Sequence, residues 1–198
     1  MEYLAIIFKM SLAQNMVLAQ FLGLCPFIGV SRRRSDAIGM GIAVIFVMVM
    51  ASLVTWALWI YALKPFHLEY LQTITFILVI AVLVQVVELA MKKSTPALYN
   101  ALGIYLPLIT TNCTVLGVSL INVKSFDGAA SGVSAFGLTA VQGAGGGLGF
   151  MLAMILMAEI RDRLELLPIP KAFKGVPIAF ICAGLMGLAF FGFAGMVK

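Results

Sequence analysis

Charge is scarce in this chain: Lys and Arg number 13, Asp and Glu 8, together 11% of 198 residues. Histidine occurs once and cysteine three times, with no C-x-x-C pair. Each shortage excludes something. With only His67, bis-His haem within the chain is ruled out, and His67 itself, beside Pro65, reads as an interfacial loop side chain. The absence of C-x-x-C argues against thiol exchange as the chemistry. Polar sequence is too short anywhere to encode a soluble domain, so nucleotide or flavin chemistry on a water-soluble module would have to come from other chains. The glycine run Gly143–Gly149 is not followed by Lys-Ser/Thr and leads into an apolar stretch, which excludes a phosphate loop. Its small residues four apart, Gly143/Gly147 and Gly145/Gly149, predict close helix packing instead.

What the chain has in abundance is apolar sequence. Hydrophobic residues make up 63% and the mean hydropathy is +1.11. They gather in runs of about 20 or more, the length a helix needs to cross a bilayer. Six runs, at roughly 4–30, 37–60, 71–91, 98–121, 135–157 and 176–196, predict an all-α integral membrane protein with six transmembrane helices in a single membrane domain, 1–198. The first run contains Ser11, Gln14, Asn15 and Gln20 and lacks a basic start, so it is expected to be a span and not a signal-peptide core. Arg32, Arg33 and Arg34 follow the first run, Lys92 and Lys93 the third, and Arg161, Arg163, Lys171 and Lys174 the fifth. Only Lys9, Lys64, Lys124 and Lys198 fall on the other side. This asymmetry predicts three cytoplasmic basic loops and both termini extracytoplasmic. Such short juxtamembrane clusters are topology signals and do not indicate a nucleic-acid partner.

Within the apolar runs a pattern occurs twice. Cys25-Pro26-Phe27-Ile28-Gly29-Val30-Ser31 and Cys113-Thr114-Val115-Leu116-Gly117-Val118-Ser119 share C-x-x-x-G-V-S, 88 positions apart. Three spans per half make the second half enter the membrane in the opposite sense. The chain is thus expected to contain two inverted three-helix repeats, about 1–93 and 94–198. Both halves place an acid four residues before a base, Glu88 with Lys92 and Glu159 with Arg163. Pro26 disfavours helix at Cys25, Pro107 precedes Cys113, and Thr110-Thr111-Asn112 puts three polar residues inside the fourth run. These features predict broken half-helices at the cysteine motifs of spans 1 and 4.

A thiolate is costly in hydrocarbon unless something soft and positive ligates it. Cys25 and Cys113 admit three readings: inert packing, a disulfide, or metal ligation. An iron–sulfur cluster takes four ligands, so metal ligation would require a second polypeptide to supply the rest. Cys182, among Ala, Gly and Leu, reads as a small packing residue. Glu88 and Glu159 lie near hydrocarbon and are candidates for an ion pathway, whereas Lys9 can snorkel outward.

The stretches Asn15-Met16-Val17-Leu18, Phe21 to Phe27, Pro96-Ala97-Leu98-Tyr99 and Leu106 to Cys113 together resemble the A-type membrane subunits of Rnf complexes. Ile160 to Leu164, Ala183 to Met186 and Phe193-Ala194-Gly195 fit the same family. The resemblance covers nearly the whole chain. The wider superfamily includes the D- and E-type subunits of the sodium-pumping NADH:quinone reductase, but Cys25-Pro26 and the short loop after Ser119 look more like the Rnf member. The glycine run at 143–149 departs from the family pattern.

The resemblance implies a component of a ferredoxin:NAD+ oxidoreductase in a bacterial or archaeal cytoplasmic membrane, coupled to Na+ or H+ transport. It implies one [2Fe-2S] cluster shared with an inverted E-type homologue, each of the two giving two cysteines. Carried over, the ligands are Cys25 and Cys113; given such a cluster, the nearby hydroxyl and amide groups of Thr110, Thr111 and Asn112 are expected as hydrogen-bond donors around it. B-, C-, D- and G-type subunits are implied as further partners, ferredoxin and NAD+ acting on other chains. The rival readings are an E-like component of the quinone reductase, a cofactor-free carrier or channel, and a membrane thiol oxidoreductase.

Overall fold

The computed structural model describes residues 6–31, 33–94, 106–126, 133–168, 170 and 173–194. Residues 98–105 of the expected fourth span, Arg32, Lys171 and Lys198 among the counted cations, and both termini lie outside them. Every element among the described residues is helical. That is what hydrocarbon demands, since a membrane-spanning backbone must satisfy its N–H and C=O groups internally.

The chain begins in pieces. A π-helical turn, Lys9–Ala13, is followed by α1 (Met16–Gln20) and α2 (Leu24–Val30). Then comes α3 (Arg34–Leu58), prolonged by a π-helical stretch, Trp59–Leu63. A 3-10 turn, Glu69–Leu71, leads into α4 (Gln72–Ser94). The next described segments are α5 (Leu106–Thr110) and α6 (Cys113–Phe126), then α7 (Val133–Glu165) and α8 (Val176–Ala194). Among the described residues, four helices are long and apolar enough to cross a membrane: Arg34–Leu63, Glu69–Leu89, Ala135–Glu165 and Val176–Phe193. These coincide with four of the six expected runs. The other two, first and fourth, are the interrupted ones.

The centre of the molecule is the antiparallel pair α3 and α7. Glycine weakens a solvated helix by about 1 kcal/mol relative to alanine, yet α7 carries a run of them, because missing side chains let three neighbours approach. A Cβ on Gly147 would stand 2.8 Å from Ile45 Cα, and one on Gly143 2.7 Å from Ser52 Oγ, both on α3. On another face Gly145 and Gly149 lie against Ile7, Met10 and Ser11, while Gly146 meets Val118 of α6. Both small-residue pairs expected from the sequence are thus packing surfaces, each for a different neighbour.

The buried core runs through these contacts, from Met40, Val44 and Met48 on α3 to Phe150, Met154 and Met157 on α7. A second cluster, Trp56, Trp59, Leu63, Phe76, Val123 and Ala135, closes one end. The outer helices face outward with apolar side chains: Ile74, Leu78 and Val82 on α4, and Leu185, Leu188 and Phe191 on α8 are exposed. Such apolar outward faces are compatible with a hydrocarbon surround.

Candidate functional site

The two interrupted segments cross each other, and the repeated cysteines stand at the crossing. In the first segment the chain leaves α1 through Phe21 (φ +55°) and Gly23 (φ +74°), both left-handed. Gly23 then caps α2, whose second residue is Cys25. The break expected at Cys25 itself therefore falls two residues earlier. Pro26 sits in the first turn of α2, where a helix has no partner for its N–H anyway, so it starts the helix and does not interrupt it. In the second segment α5 ends at Thr110, and α6 begins with Cys113. Asn112 bridges the gap: its Oδ1 accepts from Thr114 N at 3.0 Å.

Contact between the breaks is direct. Thr114 Oγ1 donates to the Leu22 carbonyl at 3.1 Å, joining positions 92 apart in sequence. Gly23 fits beneath Asn112 and Thr114 so closely that a Cβ there would stand 2.2 Å from Thr114 Oγ1 and 2.7 Å from Asn112 Oδ1. A Cβ on Gly117, the motif glycine of the second half, would stand 2.8 Å from Leu22 Cδ1. The residues flanking one cysteine thus touch the residues flanking the other. Around them Asn112, Thr114 and Gly23 are buried, whereas Cys25 and Cys113 are exposed free thiols.

Two further anchors hold the first segment. Asn15, fully buried, accepts from Val17 N and Leu18 N through Oδ1 and donates from Nδ2 to the Gly149 carbonyl at 2.9 Å. Arg161 on α7 donates from Nη1 to the Ile28 carbonyl at 2.7 Å and to Ser31 Oγ at 3.0 Å. Ile28 lies in the last turn of α2, where carbonyls lack helical partners and a cation is favourable. Sequence reasoning treats Arg161 only as a topology charge, and passes over Gly23. The signals for them are the cation in Ile160-Arg161-Asp162-Arg163 and a glycine two residues before a Cys-Pro pair.

The remaining expected site residues separate. Thr111 Oγ1 donates to the Pro107 carbonyl at 3.0 Å, so its proton is committed to its own helix, and Thr110 is half-buried at the end of α5. Asn112 differs, because its Nδ2 is buried without a partner. Glu159 forms an ion pair with Arg34 across the start of α3 and the end of α7. Spacing matches it with Arg163; the antiparallel α3–α7 pairing brings Arg34 to it instead. Glu88 lies half-buried on α4, the helix that packs against α5 and α6. Cys182 is half-buried on α8, outside the crossing.

Among the described residues no group of three or more His, Cys, Asp or Glu side chains comes together that could hold a metal ion. The donor set at the crossing is therefore two soft, outward-facing thiols with a spare amide donor beside one of them. This suits half of a thiolate-bound iron–sulfur site and does not suit a hard cation.

Membrane-length apolar helices around two touching helix breaks define a polytopic membrane protein. Residues 3–197 match the family described as Rnf-Nqr subunit, membrane protein, and the chain belongs to that family. It is 57% identical over 187 residues to the A-type subunit of the ion-translocating oxidoreductase complex of Syntrophotalea carbinolica, covering 94% of this chain and 93% of that one. To the A-type subunit of the Na(+)-translocating ferredoxin:NAD(+) oxidoreductase complex of Acetobacterium woodii it is 55% identical over 182 residues, 92% and 91% of the two chains. The corresponding A-type subunit of Edwardsiella ictaluri is 51% identical over 197 residues, 100% and 98%.

Proposed function

We propose that this chain is the A-type subunit of an ion-translocating ferredoxin:NAD+ oxidoreductase, and that Cys25 and Cys113 supply half the ligands of a [2Fe-2S] cluster completed by an inverted, homologous partner. The observation that carries the reading is the crossing itself. Two cysteines 88 positions apart have flanking residues that touch, and both thiols are exposed beside a core in which Asn112 and Thr114 are buried. The likeness to A-type subunits over nearly the whole chain supports the activity of the complex.

When bound, such a cluster accepts and returns one electron at a time. The protein's part is placement. Gly23 and Asn112 set the starts of α2 and α6, which fix where the two sulfurs stand. Arg161 holds the far end of α2. The N-terminus of α6 places partial positive charge beside Cys113, which favours a negatively charged ligand set. Asn112 Nδ2 is a buried donor without a partner, and a sulfur of a bound cluster would be an acceptor for it. Counted with the interrupted segments, the chain makes six spans in two inverted halves in the cytoplasmic membrane, termini outside. Both ferredoxin and NAD+ act on other chains of the complex.

The test is Cys25→Ser, Cys113→Ser and Cys182→Ser in the intact complex. Iron and acid-labile sulfide should fall, and the EPR signal of the reduced cluster vanish, in the first two variants and persist in the third. A Cys113→Ser complex with undiminished iron and full ferredoxin-to-NAD+ electron transfer would refute the assignment.

A further inference from the structure

Where α3, α6 and α7 meet, at membrane depth and away from the thiols, polar side chains are buried without enough partners. Ser52 and Thr55 on α3, Asn122 on α6 and Thr139 on α7 are 0%, 1%, 1% and 0% exposed. They fall within about one helical turn of one another along the core. Gly146 meets Val118 and Met48, and Gly143, one turn away on α7, meets Ser52, one turn beyond Met48. Asn122 lies one turn beyond Val118 on α6, on the face that Val115 and Val118 bury. Thr139 precedes Gly143 by one turn on the same side of α7. Ser52 is eleven residues, about 16 Å, inside the Leu63 end of its membrane-length helix.

Three atoms here have no hydrogen-bond partner: Ser52 Oγ, Asn122 Oδ1 and Asn122 Nδ2. The two threonines donate to their own helices, Thr55 to the Ala51 carbonyl at 2.6 Å and Thr139 to the Phe136 carbonyl at 3.0 Å. That use of the proton leaves lone pairs on both hydroxyl oxygens. Buried polar atoms in native proteins are almost always satisfied, by protein, water or ion. In hydrocarbon an unsatisfied amide is costlier still.

We propose that this junction binds a partly hydrated Na+ ion. Asn122 Oδ1, Ser52 Oγ and the threonine oxygens are its protein ligands, and Asn122 Nδ2 donates to a water of its shell. The chemistry of the donors selects the ion. All four side chains are neutral and none titrates near neutral pH, so they cannot carry a proton in transit. Without a carboxylate they offer too little negative charge for a divalent cation at this depth. Hard, neutral oxygens suit a small monovalent cation. The site is joined to the thiols by a single rigid element, because Asn122 follows Cys113 by nine residues of α6, about 14 Å along its axis.

This inference rests on the ion-coupled reading above, and the experiment separates the two. The intact complex is purified and titrated with NaCl in a potassium background. Electron transfer from ferredoxin to NAD+, equilibrium binding of 22Na+ and the EPR signal of the cluster are followed together. Asn122→Leu, close in shape but apolar, and Ser52→Ala should each raise the half-saturating Na+ concentration tenfold or more and lower 22Na+ binding, with the EPR signal kept. Asn122→Asp should keep saturable 22Na+ binding, at or below the wild-type concentration. If Asn122→Leu does not assemble, Ser52→Ala and Asn122→Asp decide the matter. Unchanged Na+ half-saturation in Ser52→Ala or in an assembled Asn122→Leu would overturn the site, as would a wild-type complex whose electron transfer needs no Na+. A wild-type complex with neither cluster nor ferredoxin-to-NAD+ activity would instead overturn the reading beneath it.

Discussion

Replacing Gly23 by alanine bears most directly on the crossing of the two helix breaks. At φ +74° a residue with a Cβ is disfavoured by about 1 kcal/mol or more. The added methyl would also stand 2.2 Å from Thr114 Oγ1 and 2.7 Å from Asn112 Oδ1. Neither neighbour is free to swing aside: Thr114 donates to the Leu22 carbonyl, and Asn112 Oδ1 accepts from Thr114 N. Overpacking of this kind costs about 1–3 kcal/mol, so the total is about 2–4 kcal/mol. In a chain of this size that lowers the unfolding midpoint by roughly 5–15 °C. The proper control is Gly137→Ala on α7, where no atom lies within 4 Å. Thermal unfolding of the purified complex, followed together with its iron content, should show a lower midpoint and weaker iron retention for Gly23→Ala only. Adding Thr114→Ala should recover about 1 kcal/mol of the loss, because the two changes share a contact. A Gly23→Ala complex that unfolds with the Gly137→Ala control and keeps its iron would refute the crossing.

Arg161→Gln should lower the unfolding midpoint more than Arg161→Lys, since hydrogen bonds from a charged donor contribute about 1.5–3 kcal/mol; equal midpoints would show that the end of α2 needs no cation. Gly147→Ala should destabilise and Gly184→Ala should not, because a Cβ at 147 meets the Ile45 backbone while one at 184 meets nothing within 4 Å; unfolding curves of both check this. A reporter fused after Lys198 should be active only outside the cytoplasm, and cytoplasmic activity would reverse the assigned topology. Gly29→Leu, on the exposed face of α2 one turn from Cys25, should reduce both the iron content and the co-purification of the homologous partner. Full co-purification would mean that this face stays uncovered in the complex.

Hydropathy alone locates the four uninterrupted helices, since length and apolar content decide what can cross a bilayer. Small residues four apart announce the close packing of α7, although not that its two pairs serve different neighbours. The helix breaks are legible in kind, through Pro26, Pro107 and the polar triplet before Cys113; the second falls inside that triplet, whereas the first falls ahead of Cys25. A proline in the first turn of a helix looks in sequence like a proline that ends one. Only the left-handed backbone of Phe21 and Gly23 distinguishes them. The roles of Arg161, Arg34 and the Ser52–Asn122 junction are invisible for a different reason. Each depends on which residue faces which across helices far apart in sequence, and no local spacing encodes that.

The repeat is identical at C, G, V and S, yet the structure uses the matching residues differently, and the differences have a direction. Ser119 donates to the Val115 carbonyl at 2.9 Å within its own helix, whereas Ser31 accepts from Arg161 on α7. Gly117 takes in Leu22 from the other half, whereas Gly29 has no atom within 4 Å of where its Cβ would be. Thus α6, at 14 residues, is packed into the body of the chain. By contrast α2, at 7 residues, is held at its ends and leaves a face with Cys25 and Gly29 outward. Gly29, one turn from an exposed thiol, is itself exposed and has no neighbour among the described residues of the chain. On the proposed reading an inverted homologue covers it as Leu22 covers Gly117. Ligation and packing then act at the same face, so that cluster binding adds to the free energy of assembly where neither partner alone holds a complete site.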